Sequence, residues 1–284
     1  MEGGQLNKKI GFIIQARMKS TRLPGKILLP IPLGSNKALL SWIVDELKLS
    51  KFDNDIIVAT SLKVENDILV SFCENACINI FRGDEEDVLN RFISISMQKK
   101  YDCIVRLTAD NPIVDIEILD NAISYHLLNE NDYTCTTGLP IGMNFEIISP
   151  NALLGLKNVK LSDSDKEHVT LYIKNNDEFK KGKFIVAADD DNVFESLRLT
   201  VDYASDYTLV SSILSQINAE NPLKGFRLIK NMYLKFPWLF ESNSLNFQKK
   251  QYSSLDLEVK EAFSILEQFE LKNASEIMKK YLKP

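Results

Sequence analysis

The chain is 284 residues long, 45% hydrophobic and 26% charged, with 34 basic and 39 acidic residues and a net charge of −5. At roughly 100–200 residues per domain this is one large domain or two small ones, and burial of about 75% of the unfolded surface excludes disorder. The acidic balance, with a pI near 5.3, excludes a protein that coats nucleic acid, because displacing counterions needs a surplus of Lys and Arg.

The opening stretch MEGGQLNKKIGFIIQA has too short an apolar run for a spanning helix and soon meets Arg17, Lys19 and Arg22. Neither membrane insertion nor a secretory signal is predicted, which places the protein in the cytoplasm. The first two-thirds alternates β-branched runs with helical stripes, the signature of a largely parallel sheet covered by helices. Strands are predicted at Ile10–Gln15, Asp55–Ala59, Ile78–Phe81 and Cys103–Leu107. Helices are predicted between them at Ala38–Leu49, where Leu39, Ile43 and Leu47 recur at i,i+4, and at Glu65–Ala76 and Glu85–Lys99. Each crossover is long enough for a βαβ unit.

Beyond Leu107 the reading is a helix over Ile116–Leu128, strand pieces at Tyr133–Thr137 and Asn144–Ile148, and a helix over Asp165–Asn175. A further strand in Leu197–Tyr203 leads into a helix over Ser205–Ile217. The less regular part, residues 130–197, reads as a smaller mixed subdomain of a main domain spanning 1–241. Ser242–Ser254 is a polar linker, and Val259, Phe263, Leu266, Ile277 and Tyr281 predict one or two amphipathic helices in a non-catalytic extension over 242–284. Cys73, Cys77, Cys103 and Cys135 fall in helix or strand interiors and read as small buried hydrophobes. His126 and His168 stand outside metal-motif spacing, so no structural zinc is expected.

The strongest local signal is IIQARMKSTRLPGKIL, where a strand runs into a loop holding Arg17, Lys19, Arg22 and Lys26 beside Ser20, Thr21 and Gly25. Such a loop beyond the carboxyl end of a first parallel strand suits a polyphosphate. It is neither a Walker A loop nor a GxGxxG fingerprint. Asp110 and Asp202 each follow a predicted strand and are placed facing that loop, where oxygen ligands suit Mg²⁺ completed by substrate phosphates. The alternative for Asp110 is a turn residue ahead of Asn111-Pro112, and Asp206 reads as the N-terminal charge of the next helix. In FRGDEEDVLNRF, Arg82 and Gly83 precede a helix start whose Asp84, Glu85, Glu86 and Asp87 favour the macrodipole. In EHVTLYI, Glu167 and Thr170 share a helix face. A lone helical His such as His168 is ordinarily a hydrogen-bonded structural residue.

The pattern Gln15-Ala16-Arg17-Met18-x-Ser20-Thr21-Arg22-Leu23-Pro24-Gly25-Lys26 resembles the opening signature of the SpsF-like cytidylyltransferases, and more distantly that of the CMP-sialic acid and CMP-Kdo synthetases. Matching blocks follow in order at 81–92, 106–115, 142–149, 167–173 and 198–207, so the resemblance covers about 210 residues and leaves the last 45 or so outside. It implies an α/β, three-layer, nucleotide-diphospho-sugar transferase-like fold with a mostly parallel sheet. It implies transfer of CMP from CTP to an acidic sugar or a sugar or alditol phosphate, with release of pyrophosphate, for a surface polysaccharide or glycoconjugate.

On this resemblance Gln15, Ala16, Arg17, Ser20, Arg22, Lys26, Arg82 and Asp110 contact the nucleotide, and Arg17, Lys26, Asp110 and Asp202 are catalytic. Mg²⁺ is expected on Asp110 and Asp202, and the acceptor on Asn144, Glu146, Glu167 and His168. The sugar-acid synthetases of the wider superfamily are commonly dimers, so a homodimer is expected. Relatives commonly carry a basic residue and Gly-Leu-Asp where this chain has Ile141-Gly142-Met143-Asn144 before Phe145-Glu146. A cation and a carboxylate are missing there, which leaves open a different acceptor or a binding module without turnover. A nucleotide other than CTP also stays open. PIPLGSNKALL is longer than the turn usual in the family and predicts a displaced loop.

Overall fold

Alternation in the first apolar run fixes the centre of the sheet. Lys9–Gln15 forms β1, whose Ile10, Phe12 and Ile14 pack on one face and Ile13 on the other, all fully buried. The structure is a computed structural model that describes residues 8–186, 193–218, 222–246 and 254–282. On one side of β1, through α1 (Leu39–Leu47) and α2 (Asp67–Asn75), lie parallel strands β2 (Asp53–Ser61) and β3 (Asn79–Gly83). After α3 (Val88–Gln98) the chain crosses to the other side of β1 and lays down β4 (Cys103–Thr108), again parallel. The winding therefore reverses between β1 and β4, the point beyond which ligands bind in open α/β sheets.

Following α4 (Ile116–Leu128), the rest of the sheet is mixed. β5 (Tyr133–Thr137) and β6 (Glu146–Ile148) are antiparallel, with β6 inserted against β4. α5 (Pro150–Gly155), α6 (Asp163–His168) and α7 (Leu171–Asn175) lead to β7 (Lys181–Ile185), which joins β5 in parallel. The strand order is β3-β2-β1-β4-β6-β5-β7. α8 (Val193–Ser196), α9 (Ala204–Leu214) and α10 (Gly225–Lys235) follow.

The two faces make two cores and hence three layers. One cluster joins Ile10, Phe12 and Ile14 to α1, α2, α4, α9 and α10, and the other sets Ile13, Ile57 and Tyr101 against α3, α5 and α7. Each fully buried Leu or Ile contributes about 1.5–3 kcal/mol. Met1–Leu245 forms one compact unit and Asn246–Pro284 a second. Within the second, α11 (Leu255–Gln268) and α12 (Lys272–Leu282) form a hairpin with an ion pair between Lys279 and Glu267 at 3.0 Å. Of the predicted linker Ser242–Ser254, Ser242 and Asn243 end the 3-10 helix Pro237–Asn243, and residues 247–253 lie outside the described ones. Among the described residues no helix is long and apolar enough to cross a membrane.

Four expectations are corrected. Leu197–Tyr203 is no strand: it is an irregular segment that makes one bridge, with Ile141 N donating to Leu197 O and Leu199 N to Ile141 O, both at 2.8 Å. Next, Val201 N donates to Asp110 O at 2.9 Å, which delivers Asp202 beside Asp110. The helix predicted over Asp165–Asn175 begins earlier, behind a Ser162–Asp165 capping box, and breaks at Val169 (φ 51°). β7 escaped prediction because its KGKFI alternates lysine with a strand-weakening glycine. Cys77 is exposed, past the end of α2 at φ 53°, and Cys135 is half-buried. The long loop after Lys26 docks on α9, Leu33 N donating to Ser211 Oγ at 2.8 Å and the Tyr207 hydroxyl to Pro30 O.

Gly142 is where the mixed half meets that irregular segment. Its φ is +97°, and a Cβ would lie 2.6 Å from Thr200 N. Backbone cannot yield as a flexible side chain does, so Gly142→Ala is expected to destabilise the fold by about 2–3 kcal/mol, read by urea unfolding.

Candidate active site

The basic loop is shaped from both ends. Ala16 N extends the β1 ladder onto Ala59 O at 3.1 Å, and Met18 N donates to Oδ1 of buried Asn66 at 2.8 Å. The Asn66 Nδ2 donates in turn to Ser61 Oγ at 2.7 Å, so the end of β2 carries the loop. Ser20 Oγ accepts from Leu23 N, a local turn contact. The loop closes where Gly25, at φ 69°, donates to Met18 O at 3.2 Å. The positive φ favours glycine there, since a Cβ would meet only Met18 at 3.7 Å. Lys26 then opens a 3-10 turn whose Ile27 is anchored in the core, and Lys26 itself is 8% exposed.

Two segments distant in the chain converge on its ammonium. Lys26 Nζ donates to Asp110 Oδ2 at 2.7 Å and to Asp202 Oδ1 at 2.8 Å. Asp110 stands at the end of β4, its Oδ1 accepting from Thr108 Oγ1 at 2.7 Å, while Asn111 Nδ2 donates to Thr108 Oγ1 at 2.9 Å. Asp202 also pairs with Arg22 through Oδ1 at 2.9 Å and with Arg198 through Oδ2 at 2.8 Å. Burial raises the Asp202 carboxyl pKa, but Lys26, Arg22 and Arg198 together outweigh it and hold the group below the usual carboxylate range. Arg22 also stacks on Tyr203, 4.9 Å from the ring centroid.

Behind Asp202 sits a buried network that the sequence reading did not assign. Asp206, fully buried, accepts from Arg198 Nε at 3.1 Å, from Asn243 Nδ2 at 2.8 Å and from the backbone amides of Asp202 and Tyr203 at 2.9 Å. It is a helix-start charge as predicted, and it also fixes the carboxylate four residues before it. The only sequence signal was the repetition of an acid four residues on from Arg198 and again four later.

On the other flank, β6 brings Glu146 to β4. Glu146 pairs with Arg106 NH1 at 2.6 Å and with Lys174, and accepts from the Tyr133 hydroxyl at 2.8 Å and from Thr170 Oγ1 at 3.1 Å. Arg106 NH2 reaches Gln15 Oε1 at 3.2 Å. Burial raises the Glu146 pKa, yet Arg106 and Lys174 reverse this and bring it down to about 2. A cavity of about 180 Å³ opens here, lined on its polar side by Arg106, Thr108, Asn111, Asn144 and Glu146 and elsewhere by Ile113, Val114 and Phe145. Asn144 Nδ2 donates to Leu139 O at 3.1 Å, so this residue also shapes the turn.

The remaining expected site residues stand apart. Arg17, just over half exposed, lies 4.0 Å from Glu85 and 3.6 Å from Glu167, drawn toward α6 and away from Lys26. Glu167 lines a cavity of about 620 Å³ with Asp84, Glu86, Asp87, Asp163 and Lys166. His168 is exposed at the end of α6. Arg82 does not join the cluster: on edge strand β3 it donates to Ser61 O at 3.1 Å and Lys63 O at 3.2 Å and pairs with Asp67 at 2.8 Å. Asp87 caps α3 by accepting from Asn90 N at 2.8 Å.

A depressed Glu146 pKa makes the folded state lose stability as pH falls. Its contribution is complete above the unfolded value of 4.5 and disappears on acidification toward 2. Glu146→Gln is expected to remove on the order of 3 kcal/mol at pH 7, the free-energy equivalent of that shift. Unfolding titrations at pH 7 and pH 3 should show the gap between wild type and variant narrowing at the lower pH.

Comparison with known proteins bears on the family and the fold. The family model described as cytidylyltransferase matches residues 11–280, so the family's length runs well past the roughly 210 residues of the resemblance and into the C-terminal hairpin. The spore coat polysaccharide biosynthesis protein SpsF of Bacillus subtilis (strain 168) is 39% identical over 223 residues, 77% of this chain and 91% of that protein. A 3-deoxy-manno-octulosonate cytidylyltransferase of Psychrobacter (strain PRwf-1) is 26% identical over 51% of this chain and 52% of its own length. Among solved structures, a cytidylyltransferase from Leptospira borgpetersenii serovar Hardjo-bovis superposes with a TM-score of 0.74 at 29% identity, covering 86% of this chain and all of that one. CMP:2-keto-3-deoxy-manno-octonic acid synthetase complexed with CTP shares the fold, at a TM-score of 0.55 and 14% identity over 74% of this chain and all of that one. The chain has the nucleotide-diphospho-sugar transferase fold and belongs to the cytidylyltransferase family.

Proposed function

We propose that the protein is a Mg²⁺-dependent enzyme that couples CMP from CTP to an acidic sugar or a sugar or alditol phosphate, releasing pyrophosphate, in the synthesis of a surface polysaccharide or glycoconjugate. The observation that carries this reading is the joining of Lys26, Asp110, Asp202 and Arg22 at the point where the sheet reverses its winding. The acceptor class is supported by the relatives, one a polysaccharide biosynthesis protein and the other a cytidylyltransferase for 3-deoxy-manno-octulosonate.

In the reaction an acceptor oxygen attacks the α-phosphorus of CTP in line, and the bond to the β-phosphate breaks as the new P–O bond forms. Charge grows on the departing pyrophosphate, so cations aimed at it stabilise the transition state more than the bound substrate. Arg22 and Lys26 are set by the loop for that role, and Arg17 stands at its exposed edge. The donor set fits a hard divalent ion: two carboxylates turn oxygens to one point that a cation already fills. Among the described residues no cluster of three or more His, Cys, Asp or Glu is placed to cage a metal. Mg²⁺ is ordinarily bound by one or two carboxylates with phosphates and waters completing its shell. Held by Asp110 and Asp202, it would neutralise the triphosphate and polarise the acceptor oxygen.

Arg106 and Lys174 hold the Glu146 carboxyl well below the usual carboxylate range, which makes it a weak base for this step. A phosphate acceptor needs no base, because its oxygen arrives already anionic. The cavity beside Arg106 is smaller than the roughly 300–1,000 Å³ of whole-ligand pockets and takes one arm of the acceptor.

The test is pyrophosphate release from CTP with Mg²⁺ against a panel of nonulosonic and octulosonic acids and sugar or alditol phosphates, with mass detection of products. A CMP-linked product means that a hydroxyl attacks and a CDP-linked product that a phosphate attacks; no product from any acceptor rejects the acceptor classes. Competition among the four nucleoside triphosphates reads base preference, with CTP expected to win. Asp202→Ala should lower kcat by about 10²–10³-fold while leaving the circular dichroism unchanged, and a near-wild-type rate would reject its metal role.

A further inference from the structure

Every oxygen of the Asp110–Asp202 pair is already engaged. Asp110 Oδ1 accepts from Thr108 and Oδ2 from Lys26; Asp202 Oδ1 accepts from Lys26 and Arg22, and Oδ2 from Arg198. The single point on which both carboxylates converge is therefore occupied by the Lys26 ammonium, whose side chain is 9% exposed. A divalent ion and this ammonium cannot share that point. With Lys26 in place the local charges of Lys26, Arg22 and Arg198 balance those of Asp110, Asp202 and Asp206. An added ion would put two uncompensated positive charges into a half-buried cluster, where attraction and repulsion are much stronger than in water.

The structure also shows which partner can yield. Asp202 is pinned by Arg198, by Arg22 and by its own amide on Asp206, and Asp110 by Thr108 and by the Val201 amide on its carbonyl. Lys26 is set at its backbone by the turn that Gly25 starts, and among the described residues the polar contacts of its ammonium are the two carboxylates, reached on a four-carbon stem that can swing to another anion. Triphosphate oxygens arriving beside the loop offer that ammonium a new anion within the reach of its stem.

We propose that Lys26 is the resident cation of the carboxylate pair in the nucleotide-free enzyme, and that nucleotide must draw its ammonium away before a divalent ion can take both carboxylates. Binding is thus ordered, with the ion arriving on or after the nucleotide. This rests on the proposed reading of Asp110 and Asp202 as the metal site. By linkage, whatever removes the ammonium raises metal affinity by the same factor with which metal favours the displaced state.

The probe is Mn²⁺, followed by electron paramagnetic resonance of the free ion and by calorimetry, with the α,β-methylene analogue of CTP as a nucleotide that cannot react. Wild type alone should bind Mn²⁺ weakly, and Lys26→Met without nucleotide should bind it about tenfold tighter or more, since one opposing charge is gone. Lys26→Gln serves as a second neutral variant should methionine impair folding, and Lys26→Arg, which keeps the cation, should stay weak. Neutral variants no tighter than wild type overturn the proposal. The underlying site reading is checked separately by Asp202→Asn with the analogue present: weakened Mn²⁺ binding upholds it, whereas unchanged binding overturns both it and the proposal.

Discussion

An ammonium held between two carboxylates governs the layout of this protein. Lys26 is 84 residues from Asp110 and 176 from Asp202, yet it contacts both within 2.8 Å. Half-burying charged groups costs several kcal/mol per ion, and only close geometry returns that energy, so the cluster is a weak source of net stability. What it supplies is a fixed place for charge at the mouth of the sheet. Each of its three members therefore has to be delivered by something rigid: the Gly25 turn, the end of β4, and the segment that the Ile141 bridge and the buried Arg198–Asp206 pair hold in place.

The sheet supplies that rigidity by splitting its labour. Parallel strands β1, β2 and β4 are buried on both faces and set the side that carries the basic loop, with Asn66 holding that loop on the end of β2. Antiparallel β6, wedged between β4 and β5, brings Glu146 against Arg106 on the neighbouring strand. The Glu146 carboxylate is thereby engaged in holding neighbouring strands and α7 together. On the proposed reading the chemistry then falls to positioning and to positive charge.

Much of this was legible in the sequence, for identifiable reasons. The parallel half was readable because β-branched runs and i,i+4 stripes report burial directly, and Ile116–Leu128 and Tyr133–Thr137 match the observed elements residue for residue. Arg22, Lys26, Asp110 and Asp202, which the structure brings together, could be singled out because they lie at or just past apolar segments. The position of Asp202 beside the basic loop was expected for a partly mistaken reason, since the segment before it is a single bridge and no ladder. Arg82 was misplaced because sequence shows that a residue ends a strand and hides whether that strand is central or at the edge. Arg198, Asn243 and Asn66 were invisible, because each acts through contacts with residues far from it in the chain.

Charge across the top of the sheet is sharply divided, and this bears on how substrates are taken in. The loop side carries Lys26 and Arg22, whereas the starts of α3 and α6 carry Asp84, Glu86, Asp87, Asp163 and Glu167 around the larger cavity. Despite Lys166, that cavity is net acidic and disfavours anions, so on the proposed reading an acidic acceptor would go to the smaller one beside Arg106. Arg17 stands on the boundary, paired at 3.6 and 4.0 Å while more than half exposed, and such contacts are worth about 0–1 kcal/mol. Lys26, nearly buried between two carboxylates, is held far more strongly. On the proposed reading, a triphosphate entering this cleft would recruit its cations in order of how loosely they are held, Arg17 from its exposed pairs first and Lys26 from its buried ones last, and the carboxylate pair would be released only once the nucleotide is seated.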